Sequence, residues 1–283
     1  MYAAVDRLAA STRTAIVFID HYGHRRDYSY TEVADWTARY ASVLRALGIR
    51  EGDRVALCNA NTQRCLFLML GLERLGAKDV ECPEEPGGDD LLDLLTHPPV
   101  AALVTNRRRR PAVEWLQERL PEHTLYMLVG EERDGWARMD TLVLAAKNYR
   151  DVYDPDTAAP EDIVRVAMDV LELRASDRVW STLAFAAASW RAYALAPFYA
   201  GACSIVRERE FDVRECADIL YEADATVLCG PAEHFEALLA AGLGDRFQRL
   251  PHLRRCVALE ASEDLCARWL SETGKALHRA GYT

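Results

Sequence analysis

Four short runs rich in β-formers recur at a near-constant interval, and that spacing narrows the fold more than any other property of the chain. The runs at 54–59, 78–83, 100–105 and 124–129 begin 24, 22 and 24 residues apart. Between them lie stretches with helical apolar spacing. One spans 63–75, and another runs from Pro111, suited to a first helical turn, to Leu120. Unbroken apolar runs alternating with amphipathic helices predict parallel strands buried on both faces.

A second ladder follows a Pro- and Asp-rich bridge at 153–160, with runs at 178–183, 203–206, 226–230 and 256–259 and a last one beginning near Lys275. Ahead of both ladders, 15–20 and 27–30 read as an antiparallel pair. A helix over 31–47 follows, with Thr31 as its N-cap and Gly48 past its end. The expected fold class is α/β, with two packed, mostly parallel sheets flanked by helices. The expected division is a first α/β subdomain at 1–155 and a second at 156–283.

Composition removes several function classes. The chain of 283 residues carries 34 Lys and Arg against 44 Asp and Glu, a net charge of −10. An acidic balance lacks the basic footprint that nucleic-acid binding needs. No apolar stretch reaches the ~18 residues of a membrane span, and the first residues contain no signal-type apolar segment, so a cytoplasmic location is expected. Eight cysteines without a Cys-x-x-Cys pair read as buried, reduced thiols. The seven histidines show no metal-ligand spacing, and no metal site is assigned.

Three stretches then carry a family likeness. Tyr28-Ser-Tyr-Thr-Glu-Val-Ala-Asp35, continuing through Leu44-Arg-Ala-Leu-Gly-Ile-Arg-Glu-Gly-Asp-Arg-Val-Ala-Leu57, resembles the opening of acyl-CoA synthetases and related adenylate-forming ligases. Ser176-Asp-Arg-Val-Trp-Ser-Thr182, with Trp190 through Ala202, is similar to their G-D-x-x-W-x-T … P-L-x-x-G-A stretch, in the version of aryl and medium-chain acyl-CoA synthetases. Phe211-Asp212, with 226–231 and Leu238-Leu239, resembles F-D … V-T-x-x-x-x-V-P … L-L. The likeness covers about residues 13 to 282, and it rests on the order and spacing of the motifs taken together.

The departures from that family are as informative. Such ligases carry T-S-G-T-T-G-x-P-K-G, whose backbone N–H groups and hydroxyls cradle the ATP phosphates. Here Pro160-Glu-Asp162 runs straight into Ile163-Val-Arg-Val-Ala-Met, the helix that follows that loop in relatives. Where S-A-G-E-x-L is implied, the chain reads Val257-Ala-Leu-Glu260, with the glutamate but no glycine. Gly281-Tyr282-Thr283 falls where Y-G-x-T-E belongs, so Glu260, Gly281 and Tyr282 are vestigial nucleotide-motif positions. The resemblance would put the magnesium-binding glutamate, the ribose-binding aspartate and the lysine-bearing domain beyond Thr283.

These readings assign no catalytic residue and no cofactor. The resemblance implies an acyl or aryl pocket touching Ala187, Trp190, Gly230 and His234. Without the segments that cover the cleft in relatives, apolar surface is expected around Trp190, Tyr193 and Phe198, and with it a homo-oligomer or a ligase partner. Arg107-Arg-Arg-Arg110 reads as a solvated charged loop, and Gly87-Gly-Asp-Asp90 as a helix start rather than a phosphate loop. The expected function is a ligase-like binding, scaffold or regulatory subunit that is catalytically silent alone. The alternative is a partial adenylate-forming ligase completed by another chain.

Overall fold

The computed structural model describes residues 2–58, 62–82, 88–130, 133–146, 162–183, 189–209 and 211–281. The first elements are α1 (Tyr2–Asp6), β1 (Thr14–Ile19), β2 (Arg25–Ser29), α2 (Tyr30–Ala46), β3 (Arg54–Cys58), α3 (Gln63–Arg74), β4 (Lys78–Glu81) and α4 (Gly88–Thr96). Then come β5 (Ala102–Asn106), α5 (Arg110–Val113), β6 (Leu125–Val129), β7 (Ala137–Arg138), α6 (Met139–Ala145) and α7 (Asp162–Leu171). The remainder holds β8 (Arg178–Ser181), α8 (Trp190–Ala200), β9 (Cys203–Arg207), α9 (Cys216–Glu222), β10 (Val227–Pro231) and α10 (Ala232–Ala240). It ends with α11 (Gly244–Gln248), β11 (Arg255–Leu259), α12 (Glu263–Thr273) and β12 (Leu277–Ala280).

Two mostly parallel sheets flanked by helices result, in two compact units. One unit comprises residues 31–157. Its sheet runs β4-β3-β5-β6-β7, every pair parallel. Cys58, Leu103 and Leu128, from three of its strands, pack with Leu91, Leu95 and Leu116 from the helical segments on one face. α3 is capped by Thr62, whose hydroxyl accepts from the Cys65 amide at 3.2 Å. Gly71 lets α3 approach α2 closely, because a Cβ there would meet the Tyr40 Cβ at 2.9 Å.

The other unit comprises residues 3–30 and 158–283. Its sheet runs β12-β11-β10-β8-β9-β1-β2, parallel throughout except for the β1–β2 hairpin. Residues 3–30, expected with the first subdomain, therefore group with the second. β1 pairs with β9 from Ile16↔Ser204 to Ile19↔Arg207, which buries its apolar run on both faces.

Two elements differ from the sequence reading in detail. α2 begins at Tyr30, one residue early, so Thr31 lies inside the first turn; Gly48 follows its end at φ 103°, as expected. The stretch after Pro111 is one α-helical turn followed by a 3-10 turn at Glu114–Glu118 rather than a continuous helix. Trp115 Nε1 donates to the Ala112 carbonyl at 2.8 Å, the acceptor that a continuing helix would use.

Candidate functional site

The carboxyl edge of the seven-stranded sheet carries the residues singled out from the sequence. Gly230 lies at the end of β10, paired with Ala258 of β11. The Thr182 amide, one residue past β8, donates to the Cys229 carbonyl at 2.8 Å and extends that ladder. His234 stands in the first turn of α10, directly after β10.

Its geometry is tightly determined. Thr182 Oγ1 lies 2.9 Å from His234 Nδ1 and 3.3 Å from the Cys229 carbonyl. A relay in which Nδ1–H donates to Oγ1 and the Thr182 hydroxyl donates to the carbonyl uses both contacts, and it leaves Nε2 as an acceptor. The His234 ring stacks on Phe211, with centroids 3.9 Å apart and planes 13° apart. Burial pushes the imidazole below its ordinary value of 6.5, with Glu233 acting weakly the other way, so the ring is neutral. Gly230 is required beside it, because a Cβ there would stand 2.0 Å from Thr182 Oγ1.

Trp190 does not line an open pocket. It is 1% exposed at the start of α8, and Tyr193 and Phe198 are 2% and 0% exposed. Among the described residues these three side chains are therefore buried rather than exposed as expected; α7 packs along α8, and Phe198 meets the Tyr30 ring edge-on at 6.4 Å. Ala187 and Tyr282 lie outside the described residues.

The structure brings Glu260 and Gly281 together. The Glu260 amide donates to the Ala280 carbonyl at 2.8 Å, so the two positions lie side by side past the ends of β11 and β12. Glu260 holds a left-handed backbone, φ 57°, a conformation that glycine tolerates far better.

α7 starts at Asp162, whose carboxylate pairs with Arg165 at 3.1 Å. Its far end is docked by Arg255, which donates through Nε and Nη2 to the Val170 carbonyl at 3.0 and 2.8 Å. At the opposite edge of the sheet, Asp177 receives Arg254 Nε and Nη2 at 2.9 and 2.6 Å, Thr226 Oγ1 at 2.7 Å and the Arg174 amide at 2.7 Å. Sequence reading missed this clip, since its partners lie up to 77 residues apart. Among the described residues no group of three His, Cys, Asp or Glu side chains could hold a metal ion, and no helix is long and apolar enough to cross a membrane. The arginine run at 107–110 begins in an exposed turn, and Arg110 pairs with Glu114 at 2.6 Å. Gly88–Thr96 is a helix with Asp89 and Asp90 in its first turn.

Thr182, Gly230 and the His234–Phe211 stack thus stand together at the carboxyl ends of β8 and β10, the edge at which open α/β sheets receive ligands. The AMP-binding enzyme family model matches residues 5–166, more than half of the chain, and the chain belongs to that family. The crotonobetaine/carnitine–CoA ligase of Salmonella paratyphi A is 33% identical over 99 residues, 35% of this chain and 19% of that protein. An acyl-CoA synthetase of Brucella canis superposes with a TM-score of 0.87 at 21% identity, over 99% of this chain and 56% of that one. A benzoate CoA ligase from Burkholderia xenovorans LB400 gives 0.81 at 19% identity, over 100% of this chain and 60% of that one. The chain thus spans a little over half the length of these solved structures.

Proposed function

We propose that this chain is a ligase-fold protein that does not adenylate on its own, and that it acts as a cytoplasmic binding, scaffold or regulatory subunit. The observation that carries this reading is the start of α7. Relatives of the resembled family place a glycine- and hydroxyl-rich loop and a lysine ahead of this helix, whereas here Pro160-Glu-Asp162 leads directly into it. A helix N-terminus attracts phosphate through its free N–H groups. Asp162 and the Arg165 partner of its carboxylate occupy that end instead, and a carboxylate there repels a triphosphate. Glu260 on a left-handed backbone, at a turn where the family carries glycine nearby, supports a remodelled nucleotide side. Phosphoryl and adenylyl transfer depend on charge neutralisation at the phosphates, so loss of the loop removes the largest source of transition-state stabilisation.

The cleft at His234 is retained in this proposal as a site for an acyl or aryl molecule, with Gly230 and Thr182 shaping its floor. A second copy of the chain, or a complete ligase, is the proposed partner. ATP–pyrophosphate exchange with an aryl acid tests the reading: the chain alone gives none. Exchange that appears only when a separate ligase chain is added would instead favour a partial enzyme completed in trans.

A further inference from the structure

The five-stranded sheet sets two thiols against each other at the carboxyl ends of β3 and β4. These strands run in parallel register from Arg54↔Lys78 to Leu57↔Glu81. The Cys82 amide then donates to the Leu57 carbonyl at 3.2 Å, which carries the ladder one residue further and opposes Cys58 to Cys82. Side chains alternate along a strand, and Ala56, Cys58 and Cys82 share one apolar cluster with Val80 packed against it. Asp79 and Glu81 alternate with these residues and act electrostatically on Cys65 of α3 instead.

Cys58 is held in place from both sides. On the β5 side it pairs with Thr105, whose hydroxyl donates to the Cys58 carbonyl at 2.9 Å. Cys58 and Cys82 are free thiols, 1% and 3% exposed. The Cys58 S–H is hydrogen-bonded to the Cys82 sulfur, and this bond and then burial push the Cys58 thiol well above its usual range. A buried, protonated thiol is a slow nucleophile. Contact offsets that slowness, because the second sulfur already stands beside the first when the first is oxidised. Neighbouring strands lie about 4.8 Å apart, within the roughly 4.4–6.8 Å between Cα atoms that a disulfide spans.

We infer that Cys58 and Cys82 form a dithiol modification site, which hydrogen peroxide closes to a reversible disulfide between the ends of β3 and β4. One sulfur attacks a peroxide oxygen, the O–O bond breaks, and a water leaves as that sulfur becomes a sulfenic acid. The other sulfur attacks the sulfenic sulfur, the S–O bond breaks, and the hydroxide takes up the remaining thiol proton to leave as a second water. The two thiols together lose two electrons and two protons, and the peroxide is reduced to two waters. A dithiol reductant reverses the bond by exchange.

Peptide mapping of the full chain after incubation with equimolar hydrogen peroxide tests this. Surviving thiols are alkylated, and trypsin then places Cys58, Cys65 and Cys82 in separate peptides, 55–64, 65–74 and 79–107. The expectation is a monomer that has lost two of its eight thiols, with peptide 55–64 linked to 79–107 and both thiols restored by dithiothreitol. Cys82→Ala abolishes the link. Cys266 is half-buried, where indiscriminate oxidation would fall first, and Cys266→Ser leaves the yield of the link unchanged. The map of the parent chain decides the matter alone if Cys82→Ala fails to fold. The inference is overturned if all eight thiols survive, or if Cys266 is consumed and the 55–64 and 79–107 peptides stay separate. It is also overturned if Cys58 links to Cys65, if the bond joins two copies of the chain, or if Cys58 is carried to a sulfinic acid without a link.

Discussion

Thr182 Oγ1 lies 2.9 Å from His234 Nδ1, and this contact ties the end of β8 to the first turn of α10. Replacing the hydroxyl by a methyl in Thr182→Val leaves Nδ1 without its partner and should cost about 1 kcal/mol, read as a lower midpoint in urea with an unchanged slope. An unaltered midpoint would show that the contact contributes nothing to the fold.

The same histidine gives a pH signature. Its folded-state value lies below the ordinary 6.5, so the unfolded chain takes up the proton first. Stability is fully present above 6.5 and declines as pH falls from 6.5 toward the lower folded-state value. His278, pushed down mainly by burial and then by Arg255, adds in the same direction. Melting temperatures at pH 7.5 and 5.5 should differ less for His234→Gln than for the parent. Equal differences would mean that His234 is not held neutral.

Gly230→Ala should be costly, because its methyl would stand 2.0 Å from Thr182 Oγ1 and displace the hydroxyl from His234. A loss of about 1–3 kcal/mol is expected, with a shifted His234 imidazole resonance. Gly281→Ala, where an added Cβ meets nothing within 4 Å, serves as the control and should be silent.

The β/α alternation, the strand positions and the β1–β2 hairpin were legible because each rests on local apolar patterning. The place of that hairpin was not, since the β1–β9 pairing joins Ile16 to Ser204 across most of the chain, and no local period encodes such a partner. Pro111 signalled a helix start correctly, but the competition of Trp115 for the Ala112 carbonyl ended the helix early. Gly230 and His234, singled out through the motif, stand next to each other at the end of β10 and the start of α10. Trp190, named for the implied pocket, is buried on α8, along which α7 packs.

Trp190 accordingly acts through packing. Trp190→Ala should destabilise by about 3–5 kcal/mol, whereas an exposed stacking residue would cost little. Chemical denaturation separates the two, and a change below about 1 kcal/mol would return Trp190 to the cleft.

The Asp177 clip is structural and lies away from the cleft. Burial pushes its carboxyl up, but bonds from Arg254, Thr226 and the Arg174 amide outweigh this and hold it below 3.8. Its contribution is present above that value and is lost as pH falls through the depressed one. Asp177→Asn leaves Arg254 without its carboxylate and should cost about 3 kcal/mol or more at neutral pH. A variant as stable as the parent would contradict the assignment.

The proposal that the chain does not bind ATP is tested most directly by thermal unfolding with and without millimolar Mg-ATP, against magnesium alone. A ligand at 100 times its dissociation constant adds about 2.7 kcal/mol, several degrees in a domain of ordinary size. The account predicts no shift, because the segment entering α7 offers Asp162 where a phosphate loop would stand. A rise of several degrees with Mg-ATP and none with magnesium would show that the chain binds the nucleotide after all.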